Sequence, residues 1–384
     1  MADRTLQEFQ FVKEWLEAEE QAGQRYGPLL LGMATGRWRS EMSRDENLRR
    51  YGTLRFLLGV IRSDLFQYPL QARERTAVVI EYTEEVDVPS EQCFYFLGGL
   101  AWKEYANALR YTGEFPMALE AARKSRAIFE MAGSLACDAA KAHLVEALVH
   151  RELGDLDAVV AIAALCEEVF RDFEDAEAYM HARMTRALVL SDTKRFKEAM
   201  EVLAETARDA EQRGDRRTLA ICLHNSAECA RALGDLTTAR ELDARALVHY
   251  EELGMAAETP RIRGTEALAL ADEGHVSAAI LQLYIARSEF LRLGMNGSAA
   301  DVGLHIVRLR HDRGEDVTAE CSELIETLTR AGMIQPAIEA LAYLREQART
   351  RKIDTAKLEV VGEFVREVVN GTARMFLPPP ECGT

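Results

Sequence analysis

Six breaks interrupt an otherwise helix-favouring sequence at a near-constant interval. They are Gly113, Gly154, Lys194, Gly234, Gly274 and Gly314, with steps of 41, 40, 40, 40 and 40 residues. Five residues after each break stands a small apolar residue: Ala118, Val159, Ala199, Ala239, Ala279 and Ala319. Sixteen residues after four of them stands an aromatic: Phe129, Phe170, Tyr250 and Phe290. A second set, Gly133, Gly214, Gly254 and Gly294, closes most of the second segments. A fixed period with glycine at the segment ends is the mark of a helical solenoid, in which each unit buries its apolar face against the next. Leaving a helix through the left-handed region is unstrained only for glycine. The small residue admits a close helix approach, and the aromatic fills the gap to the next pair.

The unit is clearest in Leu219–Gly254. One segment carries Leu219, Cys222, Leu223, Ala227, Ala230 and Leu233, and the next carries Leu236, Ala239, Leu242, Ala246, Leu247, Tyr250 and Leu253. Three-and-four spacing puts each set on one helix stripe, and the short Gly234 turn predicts an antiparallel helix pair. Leu233-Gly234, Ala239, Ala246 and Tyr250, and again Ala286 and Phe290, resemble the tetratricopeptide repeat. The longer period is similar to the extended form in kinesin light chains and in bacterial regulators of the peptide-sensing and maltose-activator type. The resemblance covers about 92–348. It implies an all-α fold, a right-handed α-solenoid of antiparallel helix pairs whose concave groove takes peptides. Thr193-Lys194 and Ala210 depart from the pattern, which predicts a looser joint in that pair.

The expected organisation is an N-terminal helical module over 1–66, a degenerate repeat helix and break over 67–90, a solenoid of about six pairs over 91–349, a capping helix over 350–369 and a flexible tail over 370–384. The pairs are expected at 91–133, 134–174, 175–214, 215–254, 255–294 and 295–332, with a last helix from Ile334. Within the module, Thr5 with Glu8 reads as a capping box, and Gly27-Pro28 as a turn between two helices. Trp15 and Trp102 lie on apolar stripes and are read as core, whereas Trp38, set among charges, is read as equally suited to partner contact.

Net charge is −16, which argues against direct nucleic-acid binding, since such a protein normally carries a basic footprint. The interspersed acids of Arg37–Arg50 read as a solvated face. Seven scattered cysteines without paired spacing, and a start without an apolar core, predict a cytoplasmic protein with no membrane span. There is no HExxH, CxxC or Gly-x-Ser-x-Gly pattern, and Gly32–Arg37 lacks the Walker spacing and its Lys-Ser/Thr end. Cys222 and His224 are turned ~200° apart on one helix, which speaks against a metal site with Cys229. We therefore expect no enzyme activity, no cofactor and no metal.

Function is expected in the groove. Residues about three, six and ten before each break should point into it. They give Lys103, Asn107 and Arg110, then Lys141 and Arg151, His181, then His224, Asn225, Glu228 and Arg231, and finally Arg308 and His311. These mostly basic and amide-bearing groups suit a peptide backbone, a carboxylate or an acidic helix. The expected role is a protein- or peptide-binding scaffold acting as a bacterial regulatory adaptor, with possible homodimerisation through the N-terminal module. The alternatives are a regulatory subunit of a separately encoded effector enzyme and a small-molecule-responsive sensor. On the groove reading, Arg231→Glu with Arg308→Glu should abolish partner binding without unfolding the chain.

Overall fold

The structure, a computed structural model, describes residues 2–330, 335–350 and 353–369, with side chains over 10–327, 340–350 and 353–365. The expected tail over 370–384 and the side chains of Thr5 and Glu8 lie outside these residues. The N-terminal region departs most from its sequence reading. Helix α1, Ala2–Leu31, begins before Thr5 and continues through Gly27 and Pro28 with no turn. Two short 3-10 segments, Thr35–Arg37 and Glu46–Arg49, flank α2, Trp38–Arg44; α3, Tyr51–Asp64, and α4, Pro69–Tyr82, follow.

Helices α1 and α3 cross at glycines. A Cβ on Gly52 would lie 1.7 Å from the Glu19 carbonyl oxygen, and one on Gly27 would lie 2.2 Å from the Phe56 ring. These residues act through close approach, which is why a Gly-Pro pair sits inside a helix that the sequence seemed to break. The buried Glu19 carboxylate accepts the Gly52 N–H at 2.8 Å and an Arg50 N–H at 2.5 Å. It thereby satisfies an orphan amide at the positive end of α3. Trp38 is fully buried, with Arg75 over its ring at 5.5 Å. Trp15 and Trp102 are only half-buried at core margins. The order expected of the three tryptophans is thus reversed, because α2 folds back on α3 and α4. The cluster around Trp38 runs on through Ala72 and Val79 to Leu97 and Ala101.

From there the pairs follow in register: α5 Glu91–Thr112 with α6 Phe115–Met131, α7 Ala136–Glu152 with α8 Leu156–Asp172, α9 Ala176–Asp192 with α10 Phe196–Arg213, α11 Arg216–Ala232 with α12 Leu236–Glu252, α13 Thr259–Asp272 with α14 Val276–Arg292, and α15 Asn296–Asp312 with α16 Thr318–Arg330. Among the described residues all regular structure is helical. Each helix packs on the next, and the first helices also touch in succession, α5 with α7, α7 with α9 and α9 with α11. That contact places the first helices on the inner side. Phe129, Phe170, Tyr250 and Phe290 are buried, as are Ala118, Val159, Ala199, Ala239 and Ala279. Asp155, Asp175, Asp215 and Asp235 each cap the following helix by accepting the backbone N–H three residues on.

Three positions deviate instructively. Lys194 takes the left-handed conformation expected of glycine, with φ 62°, and Glu174 does the same at 54°. The non-glycine break therefore preserves the turn. The loose joint falls elsewhere, between α12 and α13, which meet over only a few residues. There Pro260, tolerated only near a helix start, delays α13 to Thr259. Ala319, expected in the core, is exposed; α16 begins late at Thr318, and Val317 takes the buried place.

The α3–α4 connection fills the α12–α13 gap. The Ala257 N–H donates to the Phe66 carbonyl at 2.6 Å, and Leu70 lies against Gly294. The far end of α5 meets the start of α15, where Gly113 approaches Gly297. The array thus closes on itself around a channel. Helices α17, Gln335–Arg349, and α18, Thr355–Val369, finish the chain, with Leu358, Val361 and Val365 of α18 sharing a core with Leu304 and Val307 of α15.

Candidate ligand channel

The channel has a volume of about 800 Å³. Its wall is a stripe that recurs on the first helices at i, i+4 and i+7 spacing: Lys103, Asn107 and Arg110 on α5, Lys141, Val145 and Leu148 on α7, and Arg217, Ile221 and His224 on α11, with Arg151 and Glu228 one turn further on. Seven Lys or Arg and seven Asp or Glu line it, so an acidic protein surrounds a locally neutral cavity.

Nine of the twelve candidate residues lie on this wall: Lys103, Asn107, Arg110, Lys141, Arg151, His181, His224, Asn225 and Glu228. Arg231, Arg308 and His311 do not line it. Arg231 turns to the buried Asp243 of α12, to which it donates at 2.5 Å. On α15 the fixed offset fails because α18 packs on that helix: the lining comes from its first half, with Asp301, Val302 and His305, whereas His311 lies near Asp354. The double charge reversal at Arg231 and Arg308 is therefore the wrong test of the channel. Arg231→Glu would set two carboxylates together in the core and unfold that pair.

Most of the basic side chains are already paired. Lys103 meets Glu104 at 3.0 Å, Lys141 meets Asp175 at 2.7 Å, Arg62 meets Glu177 at 3.3 Å, and Arg151 grips Asp192 at 2.7 and 2.9 Å. Asn107 and Asn225 make no side-chain hydrogen bond among the described residues, so each leaves a donor and an acceptor facing the channel. Sequence reasoning missed Arg217, Glu152, Glu258 and Arg261. Arg217 and Arg261 occupy the same stripe on α11 and α13 and were findable by extending the spacing; the Phe66 loop carried no sequence signal.

His224 and His181 face the same space with opposite electrostatics. Burial opposes charge on His224, but its hydrogen bond to Asp243 (3.1 Å) and nearby Glu228 and Glu258 outweigh it, and its pKa is raised. His181 is lowered by burial, which Glu177 and Asp215 only partly offset. Burial pushes the Cys222 thiol up to about 12, so it is inert. Among the described residues no group of three or more His, Cys, Asp or Glu is placed to hold a metal ion, and no helix is long and apolar enough to cross a membrane.

No protein-family model and no curated protein matches the chain. Solved structures do. A Rap protein complexed with Competence and Sporulation Factor is similar over 93% of this chain and 99% of its own, with 12% identity and a TM-score of 0.54. The Rap conjugation gene regulator of plasmid pLS20, in complex with the Phr* peptide, is similar over 81% of this chain and 78% of its own, at 14% identity and a TM-score of 0.52. The fold is that of a tetratricopeptide-type helical repeat protein. At such identities the likeness is one of fold, extending through the N-terminal helices as well as the repeats.

Proposed function

We propose that this chain is a non-catalytic regulator that binds a short peptide inside the channel. The observation that carries the reading is the pair Asn107 and Asn225, two uncommitted amides on non-adjacent helices facing one channel. A primary amide offers both a donor and an acceptor, which is what an extended peptide backbone requires. The volume, about 800 Å³, lies within the ~300–1,000 Å³ of small-ligand sites. It suits a few residues of chain and excludes a folded domain. The fold likeness supports the same reading, since one of the similar structures is a complex with a peptide.

The channel walls come from the α3–α4 connection as well as the repeats, so an occupant would touch both regions at once. That arrangement favours an adaptor whose N-terminal helices respond to what the channel holds. The test is affinity selection of short synthetic peptides by the full chain, beside Asn107→Ala with Asn225→Ala. Each lost backbone hydrogen bond is worth ~1 kcal/mol, so the double variant should bind about 10–50-fold more weakly with its melting temperature unchanged. Peptide capture that is equal in both proteins would place the ligand outside this channel. Stabilisation by small metabolites, with no peptide retained, would favour the sensor reading instead.

A further inference from the structure

Four of the seven channel cations are paired, but those at the ring closure are held differently. Arg110 and Arg217 form no ion pair among the described residues. Arg261 has only Glu258, at 3.4 Å, and that carboxylate also accepts the Tyr111 hydroxyl at 3.1 Å. The three guanidinium groups lie instead over a pair of aromatic rings. Arg110 lies over Tyr111 at 4.7 Å, Arg261 over Tyr111 at 5.9 Å, and Arg217 over Phe66 at 4.9 Å, while Phe66 and Tyr111 meet edge-on at 5.2 Å. A cation–π contact uses the charge of a guanidinium and takes up none of its N–H donors. The Nε of Arg110 is buried with no acceptor, and that of Arg261 has only the Glu258 carboxylate at 3.4 Å, outside hydrogen-bond geometry. An orphan charged donor is costly, and buried polar groups in native proteins nearly always find a partner.

We infer that this cluster is an anchoring subsite for a carboxylate of the ligand, received by Arg110, Arg217 and Arg261 at the point where the ring closes. The inference rests on the peptide reading and adds the chemistry of one end of the occupant. A carboxylate matches the planar fork of arginine with two parallel hydrogen bonds. Its single charge also fits the surroundings. Glu258 is in contact, and Glu152 and Glu228 are near enough to act on Arg261. These three acids balance the three cations, so a monoanion meets less repulsion there than a phosphate dianion would. A peptide supplies a carboxylate from its C-terminus or from an Asp or Glu side chain. The two sources place the chain differently along the channel, with the C-terminus at the closure in the first case.

The experiment uses a synthetic library of random pentapeptides, each sequence made both as the free acid and as the C-terminal amide. Affinity selection by the full wild-type chain, read by mass spectrometry, compares the two forms directly and needs no variant. Enrichment of free acids over their amides by about ten-fold or more supports a C-terminal carboxylate. Equal capture of both forms with strong enrichment of Asp- or Glu-bearing sequences supports a side-chain carboxylate. In either case Arg110→Gln with Arg261→Gln should erase the preference. Arg217→Gln, which removes one guanidinium and leaves the Tyr111 contacts in place, should reduce it if the double variant does not fold. Peptides captured with no preference for either kind of acid would overturn the carboxylate while leaving the peptide reading intact. No peptide captured by the wild type would remove both.

Discussion

The N-terminal module and the helix pairs bury their surfaces by different means. In the pairs, alanines and single aromatics recur at fixed positions, and each unit leans on its neighbours. In the module, Trp38, Leu30, Met42, Leu54 and Leu57 converge on one core, and helices α1 and α3 touch backbone to backbone at glycines. A repeat distributes its stability along the array, because contacts are mostly between neighbours. The module concentrates its own in a single crossing and a single cluster. Glycine shows the difference most sharply. At the breaks between helices it serves the turn, as at Gly154 with φ 79° and open space around it; at the α1–α3 crossing it serves contact, as at Gly52.

The largest expected effect comes from removing the centre of the module. Trp38→Ala should cost about 3–5 kcal/mol and raise hydrogen exchange across α1 to α5. Phe170→Ala, equally buried, should lose a comparable amount but raise exchange only in α7 to α10. Spread of the Phe170 effect along the whole array would break the comparison.

Next is the glycine pair. Gly52→Ala should destabilise by about 3 kcal/mol or more, since backbone cannot yield as a side chain does. Gly154→Ala should cost only about 1 kcal/mol, the penalty of a left-handed alanine. Denaturant unfolding of the two variants measures this directly, and equal losses would erase the distinction between glycine for contact and glycine for turning. Smaller and opposite in sign is Lys194→Gly, which relieves a left-handed lysine and should stabilise the third pair by up to about 1 kcal/mol. A lower melting temperature in that variant would mean that the Lys194 side chain contributes more than its backbone costs.

The smallest effect is a pH dependence confined to the pairs, because all eight histidines lie between His143 and His311. His224 has a folded-state pKa above its usual 6.5, so its contribution is full below that value and is lost as pH rises through the raised one. His181 is lowered; the unfolded chain takes up its proton first, and stability falls as pH drops from 6.5 towards the lowered value. Melting curves from about pH 5 to 8 should therefore show His224→Gln removing the loss on the alkaline side and His181→Gln removing the loss on the acid side. Parallel curves for all three proteins would contradict these opposed environments.

How far the fold could be read follows from the same contrast. The pair boundaries, from 91 to 330, were legible because each break needs a left-handed residue and each core position recurs. The exceptions were local: Pro260 delayed one helix and Thr318 another, which moved Ala319 out of the core. The module gave no repetition to check a reading against. A Gly-Pro pair suggested a turn, and Trp38 among arginines suggested a surface, yet both serve internal packing. Most of the channel stripe was legible from helix spacing alone. Arg231 was not, because its partner Asp243 lies on the neighbouring helix and only packing brings them together.

The sequence alone determined that the chain is a stack of helix pairs, since period, capping residues and apolar stripes are local properties that need no knowledge of distant contacts. Only the tertiary structure decided that the stack closes into a ring. That closure joins Phe66, Tyr111, Arg217 and Arg261 across more than a hundred residues of chain. It depends on the small rotation between pairs accumulating until the far ends meet, and no single repeat encodes that sum.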